Sequence, residues 1–347
     1  MTKTFRRDTS HCTDGGNNPS ILVYVGADYI GDAVMKLPFV YGLRQAFPMA
    51  HITWVAGKGG TVYAHEMSAF VEGAIDEIIE NAAVGSQVGE LFGARPLAGR
   101  RFDIVIDTQR RILTTLILRR IEHGCFVSGA ARFLFSSISP KDLVKPKSMV
   151  RQLAALIALA SGRSFELVPG APKDPAAETM ADLLLPAGPC YVGFAPGAGM
   201  SKKRWPMERY ISVAKTGMES GRVPVFLLGP GEAAAVEPIR SAIPEALMPL
   251  QQVAEITPAI TISLSRRLTA AVANDSGAGH LIAASGAPLV SLFGPTSPDK
   301  FAPVASRLVV VKAQDWGHES MDAIPIDAVT KALDRLIHDS TPRIAAQ

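Results

Sequence analysis

The segment from Ile21 to Asp32, ILVYVGADYIGD, decides the fold of the first half of the chain. Its first five residues are apolar and mostly β-branched or aromatic, which predicts a buried strand over Ile21 to Val25. The loop that follows contains two glycines and leads into a helical pattern from about Asp32 to Ala46. A strand that continues through such a loop into a helix is the first part of a βαβ unit, the building block of parallel sheets.

The same alternation of short apolar runs and helical segments continues along all 347 residues and predicts an α/β fold. In the first half, the predicted strands are Ile21 to Val25, His51 to Ala56, Glu77 to Glu80, Phe102 to Asp107 and Gly124 to Val127. In the second half, they are Tyr191 to Phe194, Pro224 to Leu228, Leu268 to Ala273, Leu289 to Phe293 and Leu308 to Lys312.

A stretch rich in proline, glycine and alanine separates the two halves and predicts a linker over residues 171–189. The predicted organisation is a flexible leader (1–20), an N-terminal Rossmann-like domain (21–170), the linker, a C-terminal Rossmann-like domain (190–325), and a C-terminal helix and tail (326–347). We expect that last helix to pack back on the N-terminal domain. Two such domains are expected to face a central cleft, because ligands of open α/β sheets bind at the carboxyl ends of the strands.

Composition excludes several classes of protein. Apolar residues make up 48% of the chain and charged residues 19%, which predicts large buried cores. The longest apolar run, Leu153 to Ala160, is far shorter than the roughly 20 residues that span a bilayer, and the first twenty residues lack the apolar segment of a secretory signal.

The three cysteines Cys12, Cys125 and Cys190 have no metal-site spacing, and their odd number argues against a disulfide framework, so a cytoplasmic protein is predicted.

Positive charge is concentrated in one segment. Between Arg95 and Arg151 there are twelve basic and four acidic residues, although the whole chain has a net charge of only +3. Arginine pairs recur there at intervals of about ten residues, at positions 100–101, 110–111 and 119–120. Such a segment can attract phosphates or an anionic membrane surface, or it can be an ordinary solvated surface. The charge is not accompanied by a nucleic-acid-binding motif, so no nucleic-acid partner is predicted.

The loop before Asp32 differs from both common phosphate-binding loops. It lacks the second glycine of a dinucleotide fingerprint, and Asp32 and Ala33 stand where a P-loop would have lysine and serine or threonine. An aspartate that opens a helix would repel a phosphate. The loop therefore indicates a positioned carboxylate at Asp32, and the alternative is that Asp32 is only the N-cap of its helix.

Two later loops have the composition of anion sites. Gly197 and Gly199 allow a close backbone approach, and Lys203 stands just before a predicted helix. The segment 274–280, Asn-Asp-Ser-Gly-Ala-Gly-His, links a strand to a helix and can present the backbone amides around Ser276 and Gly277 to a diphosphate. Gly294-Pro295-Thr296 ends the next strand and is expected at the same edge, or is an ordinary turn.

These residues together resemble glycosyltransferase family 9, the ADP-heptose:lipopolysaccharide heptosyltransferases. The resemblance runs from about residue 21 to residue 335. Five segments match in order: Gly31-Asp32 with Pro38; Phe102-Asp103 through Asp107-Thr108-Gln109; Pro196-Gly197-Ala198 with Lys203-Arg204-Trp205-Pro206; Leu227-Leu228-Gly229 with Gly231-Glu232; and Asn274-Asp275-Ser276-Gly277 with His280, followed by Leu292-Phe293-Gly294-Pro295-Thr296.

The resemblance implies a GT-B fold and an inverting, metal-independent transfer from an ADP-sugar co-substrate, with no other cofactor. Asp32 matches the family's general base, and Lys203 matches the lysine taken to stabilise the diphosphate. The expected donor contacts are Gly197, Lys203, Asp275, Ser276, Gly277, His280, Gly294 and Thr296. An anionic glycolipid acceptor of the lipopolysaccharide core is expected at Arg110, Arg111, Arg119 and Arg120, on the inner face of the bacterial inner membrane.

Three positions depart from the family pattern. Gly26 stands where a basic residue is common, Ala278-Gly279 replaces a common Pro-Met, and Asp28 adds a second carboxylate near Asp32. Two other functions stay open at this point. One is a non-hydrolysing sugar-nucleotide epimerase, which binds a similar donor and needs no acceptor, and the other is a catalytically silent family member that acts as a binding module.

Overall fold

The computed structural model describes residues 12, 18–140, 146–165, 167–168 and 170–338. The chain divides into two compact units, residues 1–168 and 169–347. Each unit contains a five-stranded sheet in which all paired strands are parallel. The prediction of an α/β fold with two Rossmann-like domains is therefore confirmed.

In the N-terminal unit the strand order is β3-β2-β1-β4-β5. The strands are β1 (Ser20–Val25), β2 (His51–Ala56), β3 (Glu77–Ile79), β4 (Arg101–Asp107) and β5 (Glu122–Ser128). The helices are α1 (Ile30–Ala46), α2 (Ser68–Val71), α3 (Ile112–Leu118) and α4 (Met149–Ser161). Because β1 lies at the centre, the loops that follow β1 and β4 are neighbours at the carboxyl edge of this sheet.

The central position of β1 in the sheet explains its apolar sequence. All five residues from Ile21 to Val25 are fully buried, as expected for a parallel strand covered on both faces. On one face Tyr24 packs in a cluster with residues of β2, β4 and β5. On the other side of the core, Trp54 contacts Phe39 of α1 and lies edge-on to Tyr63 at a ring-centroid distance of 5.3 Å.

In the C-terminal unit the strand order is β10-β9-β8-β6-β7. The strands are β6 (Tyr191–Ala195), β7 (Val223–Phe226), β8 (Ala270–Asn274), β9 (Leu289–Phe293) and β10 (Leu308–Lys312). The helices are α5 (Pro175–Leu184), α6 (Met207–Glu219), α7 (Val236–Ala242), α8 (Pro258–Arg266), α9 (Gly277–Ser285), α10 (Pro298–Phe301) and α11 (Ile326–His338). The loops that follow β6, β8 and β9 therefore lie side by side at the carboxyl edge of this sheet.

The segment predicted to be a linker contains helix α5. Asp174 caps this helix by accepting a hydrogen bond from the Ala177 amide at 2.8 Å, and Pro175 occupies the first helical position. Ala177 and Ala181, spaced four residues apart, are buried in the core of the C-terminal unit. The prolines around the helix hid this short pattern, so the linker prediction missed it.

Helix α11 packs in the C-terminal unit, which corrects the expectation that it packs on the N-terminal domain. Its buried residues Val329, Leu333 and Leu336 belong to the same apolar cluster as Val272 of β8 and Val290 of β9. The reason is that these apolar residues form one stripe that fits the open face of this sheet. Residues 339–347 of the expected tail, and most of the expected leader, lie outside the described residues.

Cys12 and Cys125 form a disulfide with their Cα atoms 5.6 Å apart, whereas Cys190 is a free thiol. The prediction that the cysteines form no disulfide framework is therefore wrong for this pair. The two cysteines are 113 residues apart in the chain, and sequence spacing carries no information about a contact of that range. Cys125 lies on β5, an edge strand of the N-terminal sheet.

Candidate active site

Asp28 is a buried carboxylate with a full set of partners. Its Oδ2 accepts hydrogen bonds from Trp54 Nε1 at 3.0 Å and Thr61 Oγ1 at 3.2 Å, and its Oδ1 forms an ion pair with Lys36 of α1. These contacts fasten the loop after β1 to β2, to α1 and to the segment at Thr61. Asp28 therefore holds the loop in place, and its carboxylate oxygens are already occupied.

Asp32 has the opposite surroundings. It is exposed in the first turn of α1, and among the residues that the structure describes it has no hydrogen bond or ion pair. The N-cap position is occupied by Tyr29, so the alternative that Asp32 is the N-cap of this helix is wrong. The positive end of the helix dipole interacts favourably with the Asp32 charge. The Asp32 carboxylate is therefore exposed, and its oxygens are without a partner in the described part of the chain.

Asp107 ends β4 beside this loop. Its carboxylate accepts hydrogen bonds from Thr115 Oγ1 at 2.6 Å, Ser128 Oγ at 2.8 Å and the Gln109 amide at 2.8 Å. Burial raises the pKa of Asp107 to about 6, and these hydrogen bonds lower it only in part. The Gln109 side chain lies against Gly26, because a Cβ on that glycine would stand 3.5 Å from Gln109 Oε1. The loops after β1 and β4 are thus in contact.

The four arginines expected to hold the acceptor are not brought together. Arg110 and Arg111 follow β4 at the carboxyl edge of the N-terminal sheet, whereas Arg119 and Arg120 follow α3 and precede β5, at the opposite edge. Arg120 donates to the Gly93 carbonyl at 2.5 Å and the Ala94 carbonyl at 3.2 Å. Arg119 likewise donates to a backbone carbonyl, that of residue 135. The ten-residue interval reflects the length of α3, which reverses the chain between the two pairs.

Three residues from three predicted motifs meet in the C-terminal unit. Lys203 Nζ lies 2.7 Å from Asp275 Oδ2, and Thr296 Oγ1 donates to the same oxygen at 2.6 Å. Asp275 follows β8, Thr296 follows β9, and Lys203 precedes α6. An ammonium group has three donors, and Asp275 takes one of them in the described residues, so Lys203 can still bind an anion. We call Lys203, Asp275 and Thr296 the lysine cluster.

Asn274 anchors the frame around the lysine cluster. Its buried side-chain Oδ1 accepts from the Trp205 amide at 3.2 Å and from the Tyr210 hydroxyl at 3.0 Å, and its Nδ2 donates to the Pro196 carbonyl at 2.7 Å. One side chain therefore connects the end of β8 to the loop after β6 and to the start of α6. Trp205 is a core residue, since it is 2% exposed, and it does not offer a stacking surface.

Helix α9 begins at this edge with polar and small residues. Ser276 is its N-cap and accepts a hydrogen bond from the Gly279 amide at 3.4 Å. The amides of Gly277 and Ala278 have no partner among the described residues and stand at the positive end of the helix, which suits a phosphate. His280 lies half-buried in the same first turn.

Glu232, which belongs to the matched segment Gly231-Glu232 but has no predicted role, lies at the same edge of the C-terminal sheet. A Cβ on Gly197, in the loop after β6, would stand 2.6 Å from the Glu232 carboxylate, and a Cβ on Gly229, in the loop after β7, would stand 2.9 Å from it. Both glycines are thus required for the half-buried carboxylate to lie at the carboxyl edge of the sheet. The sequence feature that could have drawn attention to Glu232 is the Gly-Pro-Gly-Glu segment at residues 229–232.

Gly294 has a packing reason that needs no ligand. A Cβ there would stand 2.7 Å from Met321 Sδ, and the Gly294 carbonyl accepts from Gln314 Nε2 at 2.5 Å.

Among the described residues there is no group of three or more His, Cys, Asp or Glu that could hold a metal ion. In the same part of the chain, no helix is both long and apolar enough to cross a membrane.

Comparisons with known proteins agree on one family. The family model for glycosyltransferase family 9 (heptosyltransferase) matches residues 93–323. Lipooligosaccharide heptosyltransferase 2 of Haemophilus ducreyi is 25% identical over 351 residues, which cover 91% of this chain and 99% of that protein. The enzyme of the same name from Haemophilus influenzae is 34% identical over 125 residues, a stretch that spans 35% of this chain and only 36% of that relative.

A solved structure extends the likeness to the fold. The structure of E. coli ADP-heptose lipopolysaccharide heptosyltransferase II superposes with a TM-score of 0.64 at 22% identity, covering 92% of this chain and 99% of that one. The two parallel α/β units and this likeness agree with the predicted GT-B fold. The chain belongs to glycosyltransferase family 9 (heptosyltransferase).

Proposed function

We propose that the protein transfers a heptose from an ADP-sugar to an anionic glycolipid of the lipopolysaccharide core type, with inversion at the anomeric carbon and without a metal ion. The observation that carries this proposal is the lysine cluster at the carboxyl edge of the C-terminal sheet, where Lys203 and Thr296 meet on Asp275 beside the start of α9. The family membership supports the reaction class, and the name of the E. coli relative includes ADP-heptose.

The donor is assigned to the C-terminal unit. The diphosphate binds Lys203 and the amides of Gly277 and Ala278, which together supply the positive charge that a metal supplies in other transferases. Glu232 accepts hydrogen bonds from ribose hydroxyls, the role that an acidic residue plays in many dinucleotide-binding α/β folds. The expected donor contacts are completed by Gly197, Asp275, Ser276, His280, Gly294 and Thr296.

The acceptor is assigned to the N-terminal unit. Asp32 removes the proton from the acceptor hydroxyl, whose oxygen attacks the anomeric carbon. The bond from that carbon to the diphosphate oxygen breaks, ADP leaves with the bonding electron pair, and the configuration inverts in this single displacement. Arg110 and Arg111 attract the acidic groups of the acceptor, and the protein associates with the cytoplasmic surface of the inner membrane as a peripheral protein.

The test is a transfer assay with purified protein, ADP-heptose and a core glycolipid, in which ADP release is followed together with the mass of the acceptor. We expect one heptose per acceptor, an inverted anomeric configuration by NMR, and unchanged rates in EDTA. A parallel reaction without acceptor separates the alternatives, because an epimerase would change the sugar there. Binding of the donor without any transfer would identify a silent family member and overturn the proposal.

A further inference from the structure

A cavity of about 290 Å³ lies within the N-terminal unit, apart from the Asp32 loop. It is bounded by the loop after β4, the loop after β5 and helix α4. Helix α4 contributes Met149, Leu153 and Leu156, which are spaced so that they share one helix face, and Phe133 adds an aromatic wall. The interior is therefore mainly hydrocarbon.

The polar side chains in the wall are largely engaged by the protein. The Asp107 carboxylate accepts three hydrogen bonds, Thr108 donates to the Tyr24 carbonyl at 2.8 Å, and Gln152 Nε2 donates to the Pro146 carbonyl at 2.5 Å. Within the described residues, the buried Gln152 Oε1 is the exception, because it has no hydrogen-bond partner. A sugar bound here would find few free groups to match its hydroxyls. The wall suits a ligand that is apolar along most of its length.

Two arginines that line the cavity are not neutralised by an acidic side chain of the described residues. Arg110 and Arg132 are exposed, and within the described part of the chain neither guanidinium has an ion pair or hydrogen bond. The loop that carries Arg132 also holds three successive non-glycine residues in the left-handed region, with φ of 46°, 54° and 63° at Ala131, Arg132 and Phe133. Strained backbone of this kind is concentrated at ligand-binding segments.

We propose that this cavity binds an acyl chain of the anionic lipid acceptor, with the acidic head of that lipid paired to Arg110 and Arg132. The proposal rests on the proposed function in so far as the lipid is the acceptor. A cavity of about 150 Å³ takes benzene, with its six carbon atoms, so one of this size has room for about ten to twelve carbons. The enzyme would then recognise the lipid part of its substrate as well as the sugar.

Binding is tested first without turnover, by calorimetric titration of hexanoate, octanoate and decanoate into the full-length protein. Each buried methylene contributes about 0.8 kcal/mol, so the affinity is expected to rise by about fourfold per methylene. Decanol, which has the chain without the charge, should bind more weakly than decanoate, and Arg110→Gln with Arg132→Gln should abolish that difference. An affinity that does not depend on chain length would overturn the proposal.

A matched pair of variants on α4 locates the binding. Ala155 lines the cavity, whereas its half-buried neighbour Ala154 does not. Ala155→Phe should weaken decanoate binding at least tenfold and Ala154→Phe should leave it unchanged, with Ala155→Leu as the milder substitution if the larger one does not fold. Equal losses in both positions, or tighter binding of galacturonate than of decanoate, would contradict an acyl site.

Turnover measurements then test whether the acyl chain in this cavity is that of the acceptor. The KM of the acylated acceptor should be at least tenfold lower than that of its deacylated form in the wild-type enzyme, and Ala155→Phe should remove this preference while leaving the KM for the ADP-sugar unchanged. Equal KM values for the two acceptors in the wild type would overturn the proposal. If no transfer occurs with any acceptor, the proposed function fails, and the fatty-acid titration still decides whether the acyl site exists.

Discussion

The carboxyl edges of the two sheets both carry aspartates, but the two edges use them differently. In the C-terminal unit, Asp275 accepts hydrogen bonds from Lys203 and Thr296, so the protein's own side chains form a charged network there. In the N-terminal unit, Asp28 has three partners, whereas Asp32, four residues later, has none among the described residues. A preassembled site suits an anion, and a free carboxylate suits proton transfer.

The Asp32→Asn variant is expected to show the largest effect. Asparagine cannot accept the proton, so turnover should fall by about 10²–10⁴, with little change in ADP affinity. Because Asp32 has no hydrogen bond or ion pair in the described residues and the variant loses only its interaction with the helix dipole, the free energy of unfolding should change by no more than about 1 kcal/mol. Steady-state kinetics and urea unfolding measure the two quantities.

Asp327 is a matched control for this substitution. It is also an exposed aspartate in the first turn of a helix, but that helix is α11 of the C-terminal unit, and the proposed mechanism gives Asp327 no role. Asp327→Asn should leave turnover within a factor of two of wild type. A folded Asp32→Asn enzyme that retains more than about half of the wild-type turnover would exclude Asp32 as the base.

Asp28→Asn is expected to lower the stability of the protein, because Asp28 has a structural role in the same loop as Asp32. It removes the negative charge beside Lys36, whose side chain is only 12% exposed, and breaking a buried ion pair costs about 3–5 kcal/mol. Urea unfolding should therefore show a large loss of stability, in contrast to Asp32→Asn. Adding Lys36→Met should restore part of the lost stability, because the variant then no longer has the uncompensated Lys36 cation. If Asp28→Asn is as stable as wild type, Asp28 does not fasten the loop.

Asp107 supplies a pH-dependent test of the N-terminal edge. Its pKa is raised from the usual 3.8 to about 6, so the folded state binds more protons than the unfolded state between these values. Stability should therefore fall as pH rises from about 3 to about 7, by on the order of 3 kcal/mol in total from this group. Asp107→Asn should flatten that part of the curve of unfolding free energy against pH. An unchanged slope in the variant would show that other groups cause it.

Much of the fold could be predicted from sequence because the strands are buried on both faces and stand out as apolar runs, as Ile21 to Val25 does. Helices α5 and α8 were missed because they are short and begin with proline, which marks a loop as readily as a first helical turn. The Cys12–Cys125 disulfide was missed because no local pattern encodes a contact across 113 residues.

The candidate site was predictable only where its residues stand at strand ends. Lys203, Asp275 and Thr296 each follow or precede a recognisable element, so their meeting could be expected from parallel topology. Glu232 was not assigned, because its role depends on the space left by two glycines on neighbouring loops. The grouping of Arg119 with Arg110 failed because a regular interval along the chain does not show which sheet edge a residue occupies.

Lys203→Ala is expected to have the smallest effect of the series, and it tests the C-terminal edge directly. Loss of a charged hydrogen bond costs about 1.5–3 kcal/mol, which corresponds to ADP affinity about 10- to 150-fold weaker in a calorimetric titration. Lys202, the exposed neighbour, is the control, and Lys202→Ala should bind ADP as tightly as wild type. Unchanged ADP affinity in Lys203→Ala would remove the lysine from the diphosphate site.

Lys203→Ala alone does not separate a contact with the diphosphate from mere neutralisation of Asp275, because the variant also leaves that carboxylate without its cation. The double variant with Asp275→Asn decides between them, since it removes both charges. If Lys203 only neutralises Asp275, ADP affinity should return to the level of Asp275→Asn alone. If Lys203 binds the diphosphate, the double variant should stay at least tenfold weaker than Asp275→Asn, because a neutral pair gives the phosphates no cation to bind.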